Sequence, residues 1–215
     1  VDANEMIEAF TATIDTAAWL ILLLLFELET FILDDDKIKG AVKWSINITR
    51  IFCYLIIIYS LYGFLSKYSL LHNTKAFIIQ DVCALIGTSF TYIKEIDQYL
   101  PLTAEVCKGL ANNELIQIVG TEIITNEKLL IETQRLSTVE VTNSATWLVV
   151  VFILEVEVFL QLRGELSART IMLSKWLKGA LYAILFFVAG YWGLKGGLLD
   201  FWDAFLWLVA FFYYS

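Results

Sequence analysis

Apolar residues run through this chain in four long stretches, each bounded by charge: residues 17–33 (AAWLILLLLFELETFIL), 51–65 (IFCYLIIIYSLYGFL), 145–160 (ATWLVVVFILEVEVFL) and 179–194 (GALYAILFFVAGYWGL). Runs of this kind predict membrane-crossing helices. Each falls slightly short of the roughly 20 residues that a hydrocarbon core of about 30 Å requires, so flanking residues must complete the span. The pattern also repeats. At a constant offset of 128 residues and without a gap, Ala17 to Phe77 matches Ala145 to Phe205 at thirteen positions. Trp19 with Trp147, Glu27 with Glu155, Glu29 with Glu157 and Lys67 with Lys195 are among them. Such a match is the mark of an internal duplication.

The first copy reads as a helix from about Thr13 to Leu33, a loop Asp34 to Thr49, a helix to Leu65 and a third segment from Leu70 to about Ile93. In the second copy these correspond to Asn143 to Gln161, Leu162 to Leu177, Lys178 to Leu194, and Leu198 onward. Between the copies, Glu95 to Thr142 carries eight acids against three basic residues and no apolar run long enough to cross. That connector is expected to be extramembrane and partly helical, broken at Pro101 and Asn112-Asn113. The expected fold is therefore an all-α integral membrane protein, a helical bundle of two duplicated three-segment repeats: residues 1–94, an acidic connector 95–142, and residues 143–215.

Ala76 to Ile93 is the ambiguous stretch. It is flanked by Lys75 and Lys94 as a span should be, yet holds Gln80 and Asp81. Three crossings per copy would invert the second copy relative to the first, and two would leave the copies parallel. Lys37, Lys39, Lys43 and Arg50 in the first hairpin loop, and Arg163, Arg169, Lys175 and Lys178 in the second, favour both loops in the cytoplasm and parallel copies. Hydropathy of 76–93 favours inversion. Loop charge is given the greater weight.

Composition fits a membrane protein and narrows its function. Hydrophobic residues make up 59% of the chain, with one Pro in 215 residues, and mean hydropathy is +0.69. A net charge of −8 leaves no basic stripe for phosphates, so nucleic acid is not an expected partner. The opening residues VDANEM have no basic region of the kind that starts a secretory leader, and the first helix is expected to be retained. A plasma or bacterial inner membrane is the expected location. Cys53 and Cys83 are expected to pack in apolar helices, with Cys107 facing solvent.

The candidate chemistry lies in the acids. An ionised carboxylate in hydrocarbon costs several kcal/mol unless it faces a partner, water or the bundle interior. Glu27 and Glu155 lie about eleven residues into their runs. Residues two apart on a helix are turned about 200°, so Glu27 and Glu29 cannot share a face, nor can Glu155 and Glu157. Glu27 and Glu155 are the candidate cation or proton pathway, converging between the copies. Glu29 with Arg50 and Glu157 with Lys178 are candidate structural ion pairs clasping each hairpin.

Ala189, Gly193 and Gly197 form a small-residue ridge suited to close helix packing, either within the bundle or against another membrane subunit or a second copy. Trp192, Trp202, Trp207, Tyr213 and Tyr214 resemble an interfacial aromatic belt. Asp81 is expected on an interfacial helix and His72 in a solvated loop. With one histidine, no bis-histidine haem or multi-imidazole zinc site is expected, and no cofactor is implied. No phosphate loop, Ser/His/Asp set or HExxH motif appears, so an enzyme is not expected. Two functions are carried forward: a small cation or proton channel or transporter, and a non-catalytic scaffold or accessory subunit of a larger membrane complex.

Overall fold

A computed structural model of the chain describes residues 3–29, 40–95, 98–110, 114–165, 167–195 and 198–213. The chain divides into two compact units, Val1–Lys67 and Tyr68–Ser215.

The first unit contains α1 (Ala3–Glu27) and most of α2 (Ala41–His72). On α1, Asp15, Ala18, Leu22 and Glu29 recur at intervals of three, four and seven, which places them on one face. Ala18 and Leu22 are buried. On α2, Arg50, Cys53, Ile57 and Ser60 recur at three, four and three, and Cys53, Ile57 and Ser60 are buried. Glu29 bonds Arg50 and Asp15 bonds Ser60, so the two helices run antiparallel with the apolar residues between polar contacts at each end. The outer face of α2 is apolar and exposed, through Ile51, Phe52, Leu55, Ile58, Tyr59 and Tyr62. That inversion of the soluble pattern suits a helix whose solvent is lipid.

The second unit opens with a small α/β body. Five short strands, β1 (Thr74–Phe77), β2 (Thr91–Glu95), β3 (Gln98–Pro101), β4 (Leu115–Ile118) and β5 (Ile123–Asn126), form one sheet in the order β1-β4-β5-β2-β3. All pairs are antiparallel except β2 with β5. The β4–β5 turn needs Gly120 at φ 83, a left-handed conformation that side chains resist. Thr121 ties that turn, its hydroxyl donating to the Ile118 carbonyl and accepting from the Ile123 amide.

Alternate strand residues serve opposite faces. Tyr92, Leu115 and Ile124 pack with Val82, Leu102 and Leu110 beneath a 3₁₀ turn (Val82–Leu85) and α3 (Ala104–Leu110). Ile93, Ile118 and Ile123 pack on the other face with Leu71 and Leu129. The ends of α2 and α4 thus seat the sheet, and Gln134 Nε2 donates to the Leu71 carbonyl at 2.9 Å.

This body corrects the all-helical expectation. Ala76 to Ile93 is not a helix but parts of two strands around a 3₁₀ turn, and Phe77, Ile79, Val82, Leu85, Phe90 and Tyr92 from it pack into one core. Cys83 lies on that turn and Cys107 on α3, and they form a disulfide with Cα atoms 5.1 Å apart. Cys83 is therefore not a packing residue of an apolar helix. Cys107 does not face solvent, being 1% exposed. Cys53 is free and buried, as a small apolar residue would be.

Beyond the sheet come α4 (Glu127–Leu162), α5 (Ala168–Lys195) and α6 (Leu198–Tyr213). Asn126 caps α4, its Oδ1 accepting from the Leu129 amide at 2.8 Å. At 36 residues α4 is about 54 Å long. Leu130, Thr133, Leu136 and Ser137 are buried in its first half, and Trp147, Val150 and Val151 in its second. Glu127 to Thr142, assigned from sequence to the connector, is part of this helix. Among the described residues three helices, α2, α4 and α5, are long and apolar enough to cross a membrane.

Candidate functional site

Each hairpin carries a carboxylate from one helix against a cation from the next. In the first, α1 passes into a π turn over Leu28 and Glu29, and Arg50 Nη2 donates to Glu29 Oε2. The same guanidinium lies 5.6 Å from the Phe26 ring centre, a cation–π contact. In the second, Lys178 Nζ donates to Glu157 Oε2 at 2.8 Å. Side-chain exposure is 15% for Arg50 and 24% for Glu29, and 6% for Lys178 and 22% for Glu157. Partners this sheltered stabilise one another's charge, and removing either leaves an ion without water to replace it.

Glu27 and Glu155 are half-buried on flanks about 200° from these paired glutamates. Glu155 makes further interactions of its own, as do Arg50 and Lys178. Glu27 belongs to the first unit and Glu155 to the second.

The structure adds a polar contact absent from the sequence reading. Asp15 accepts hydrogen bonds from the Ser60 hydroxyl on α2 and from the Trp19 side chain one turn along α1. Its Oδ1 is buried with no hydrogen-bond partner among protein atoms. Ser60 also lines a cavity of about 300 Å³ with Ile14, Leu55, Ile56 and Tyr59, on the outer apolar side of the pair. The available signal was the four-residue spacing of Asp15 and Trp19, but Asp15 precedes the apolar run and so escaped the search for embedded acids.

The remaining candidates have local roles. Asp81 is exposed, and its Oδ1 accepts from the Cys83 amide at 2.8 Å, capping the 3₁₀ turn rather than riding an interfacial helix. His72 is the last residue of α2, not part of a loop. Its Nδ1 lies 2.8 Å from the Tyr68 carbonyl and its ring 4.1 Å from that of Tyr68. Ala189 is buried in α5. Gly193 leaves room for α6: a Cβ there would come within 3.1 Å of Phe201 Cδ2. Gly197 lies outside the described residues, as does Tyr214. Among the described residues no group of three His, Cys, Asp or Glu side chains is placed to hold a metal ion.

Comparison with protein-family models, curated proteins and solved structures finds no match to this chain.

Proposed function

We propose that the protein is a small cation or proton channel or transporter built from two duplicated hairpins, its pathway lined by Glu27 and Glu155. The observation that carries this reading is the division of labour among the four acids. Glu29 and Glu157 are each held by a cation on the neighbouring helix. Glu27 and Glu155 occupy equivalent sequence positions on the other flank, about eleven residues into their apolar runs, where an acid is expensive to place and marks a functional position. Glu27→Gln combined with Glu155→Gln abolishes cation or proton flux in proteoliposomes while circular dichroism and gel filtration stay unchanged. Undiminished flux in that variant, or none in the parent, removes the reading.

Orientation follows from the disulfide. Such bonds persist in oxidising compartments and are rare in the cytosol, so the sheet body lies on the extracytoplasmic side of a plasma or bacterial inner membrane. Irregular backbone exposed to lipid is excluded, so residues 76–93 do not cross. The reading takes α1 to cross along with the three long apolar helices α2, α4 and α5; both basic loops then face the cytoplasm and the copies run parallel.

The disulfide-bonded sheet body also favours a second reading, a non-catalytic subunit that presents this body to a partner. Purification from native membranes in mild detergent separates the two: a lone monomer with flux supports transport, and a stable complex without flux supports the subunit.

A further inference from the structure

Asp15 is an acid that the transport reading does not use, and its surroundings are unlike those of the clasped glutamates. It lies on the α2-facing side of α1, yet its described partners, Ser60 and Trp19, are neutral. Among the side chains described, the other charged groups on the same two helices lie elsewhere. Glu29 and Arg50 close the opposite end, and fourteen residues separate Asp15 from Glu29, about 21 Å along the helix. Glu27 is on that distant end too. On α2, Tyr59 lines the cavity, Tyr62 is exposed, and Lys67 lies about two turns beyond Ser60 with interactions of its own.

We propose that Asp15 is a proton-binding site, its Oδ1 carrying the proton while Ser60 and Trp19 hold the carboxyl in place. A buried anionic oxygen without a donor is costly, and adding a proton cancels the charge. On release, the proton passes from Oδ1 to water. The two donors from Ser60 and Trp19 then stabilise the carboxylate left behind, so both states are held.

The sister hairpin sharpens the assignment. At the same offset of 128, Asp15 corresponds to Asn143 and Ser60 to Val188, while Trp19 is retained as Trp147. An amide of the same shape that takes up no proton near neutral pH stands where the first hairpin has the acid. The proton site belongs to one copy only, and Asp15→Asn is a substitution that the other copy already contains. This inference deepens the transport reading for its flux consequence, but proton binding itself is measurable without flux.

The experiment is infrared titration of the protein in phosphatidylcholine vesicles, with proton flux measured on the same samples. We expect a protonated-carboxyl carbonyl band that persists in Glu27→Gln with Glu155→Gln, vanishes in Asp15→Asn, and shifts in frequency in Ser60→Ala. Proton flux falls to background in Asp15→Asn. A spectrum unchanged by Asp15→Asn overturns the proposal, as does a band that responds only to the two glutamates. Sodium binding lost in Asp15→Asn with no carboxyl band also overturns it. A band assigned to Asp15 in a parent without flux keeps the proton site and rejects the transport reading. Should Asp15→Asn fail to fold, the frequency shift in Ser60→Ala still decides.

Discussion

Lys178 is 5% exposed, an extreme value for an ammonium group, and Glu157 is what makes it tolerable. Breaking a sheltered pair from one side costs more than removing both partners. Lys178→Met is therefore expected to destabilise the detergent-solubilised protein by about 3 kcal/mol, and Glu157→Gln added to it should recover most of the loss. Thermal melts of the two single variants and the double variant decide. Additive losses would show that the pair is not coupled.

Tyr92 gives a second test at the same scale. Burial pushes its phenol up from the ordinary value, and Asn126 Nδ2 donates to its oxygen at 3.1 Å. The folded state then holds the phenolic proton more tightly than the unfolded chain. The stability this contributes is fully present below about pH 10 and drains away as pH rises through the folded value. Melting temperature should fall less steeply in that alkaline range for Tyr92→Phe than for the parent.

Helices and strands were unequally legible. The four apolar runs located α1, α2, α4 and α5, because a span must be long and nearly free of charge. A four-residue strand is too short for its alternation to show, and Phe77, Ile78 and Ile79 in a row read as a helix as easily as a strand end. Gly87, at φ 82 in the turn before β2, was the local signal that Ala76 to Ile93 is not one straight element. The disulfide was not legible at all, since a separation of 24 residues carries no spacing signature and only the sheet brings the 3₁₀ turn to α3.

Closing a loop of that length restricts the unfolded chain by about 3 kcal/mol. Cys83→Ser with Cys107→Ser should make residues 74–126 the first part of the protein cut by a protease of low specificity, with the hairpin helices remaining intact. Equal resistance in parent and variant would mean that the bond adds nothing to the body. On α5, Gly193→Leu should separate α6 by colliding with the Phe201 ring, at a cost of about 1–3 kcal/mol. Gly193→Ala is the mild control.

At the scale of the molecule, sidedness is the property on which the rest depends. With Cys53 replaced by Ala, a cysteine at Thr121 in the β4–β5 turn should react with a membrane-impermeant thiol reagent added outside intact cells. One at Gly164, between α4 and α5, should react only after the membrane is opened. Labelling of both from the same side would remove the proposed orientation and the parallel arrangement with it. The match of Ala17 to Phe77 with Ala145 to Phe205 was plain in the amino-acid order, but the difference between the two third segments was not. Leu70 and Leu71 match Leu198 and Leu199, yet one pair ends α2 under a sheet and the other begins α6. Identity at a few apolar positions does not fix the element that carries them.

One unbroken helix, α4, carries Leu129 against the sheet and Glu157 beside Lys178, twenty-eight residues or about 42 Å farther on. No glycine or proline interrupts it. A tug or torque on the sheet therefore has no hinge in which to dissipate, and arrives at the Glu157 carboxylate as a rotation of its whole backbone.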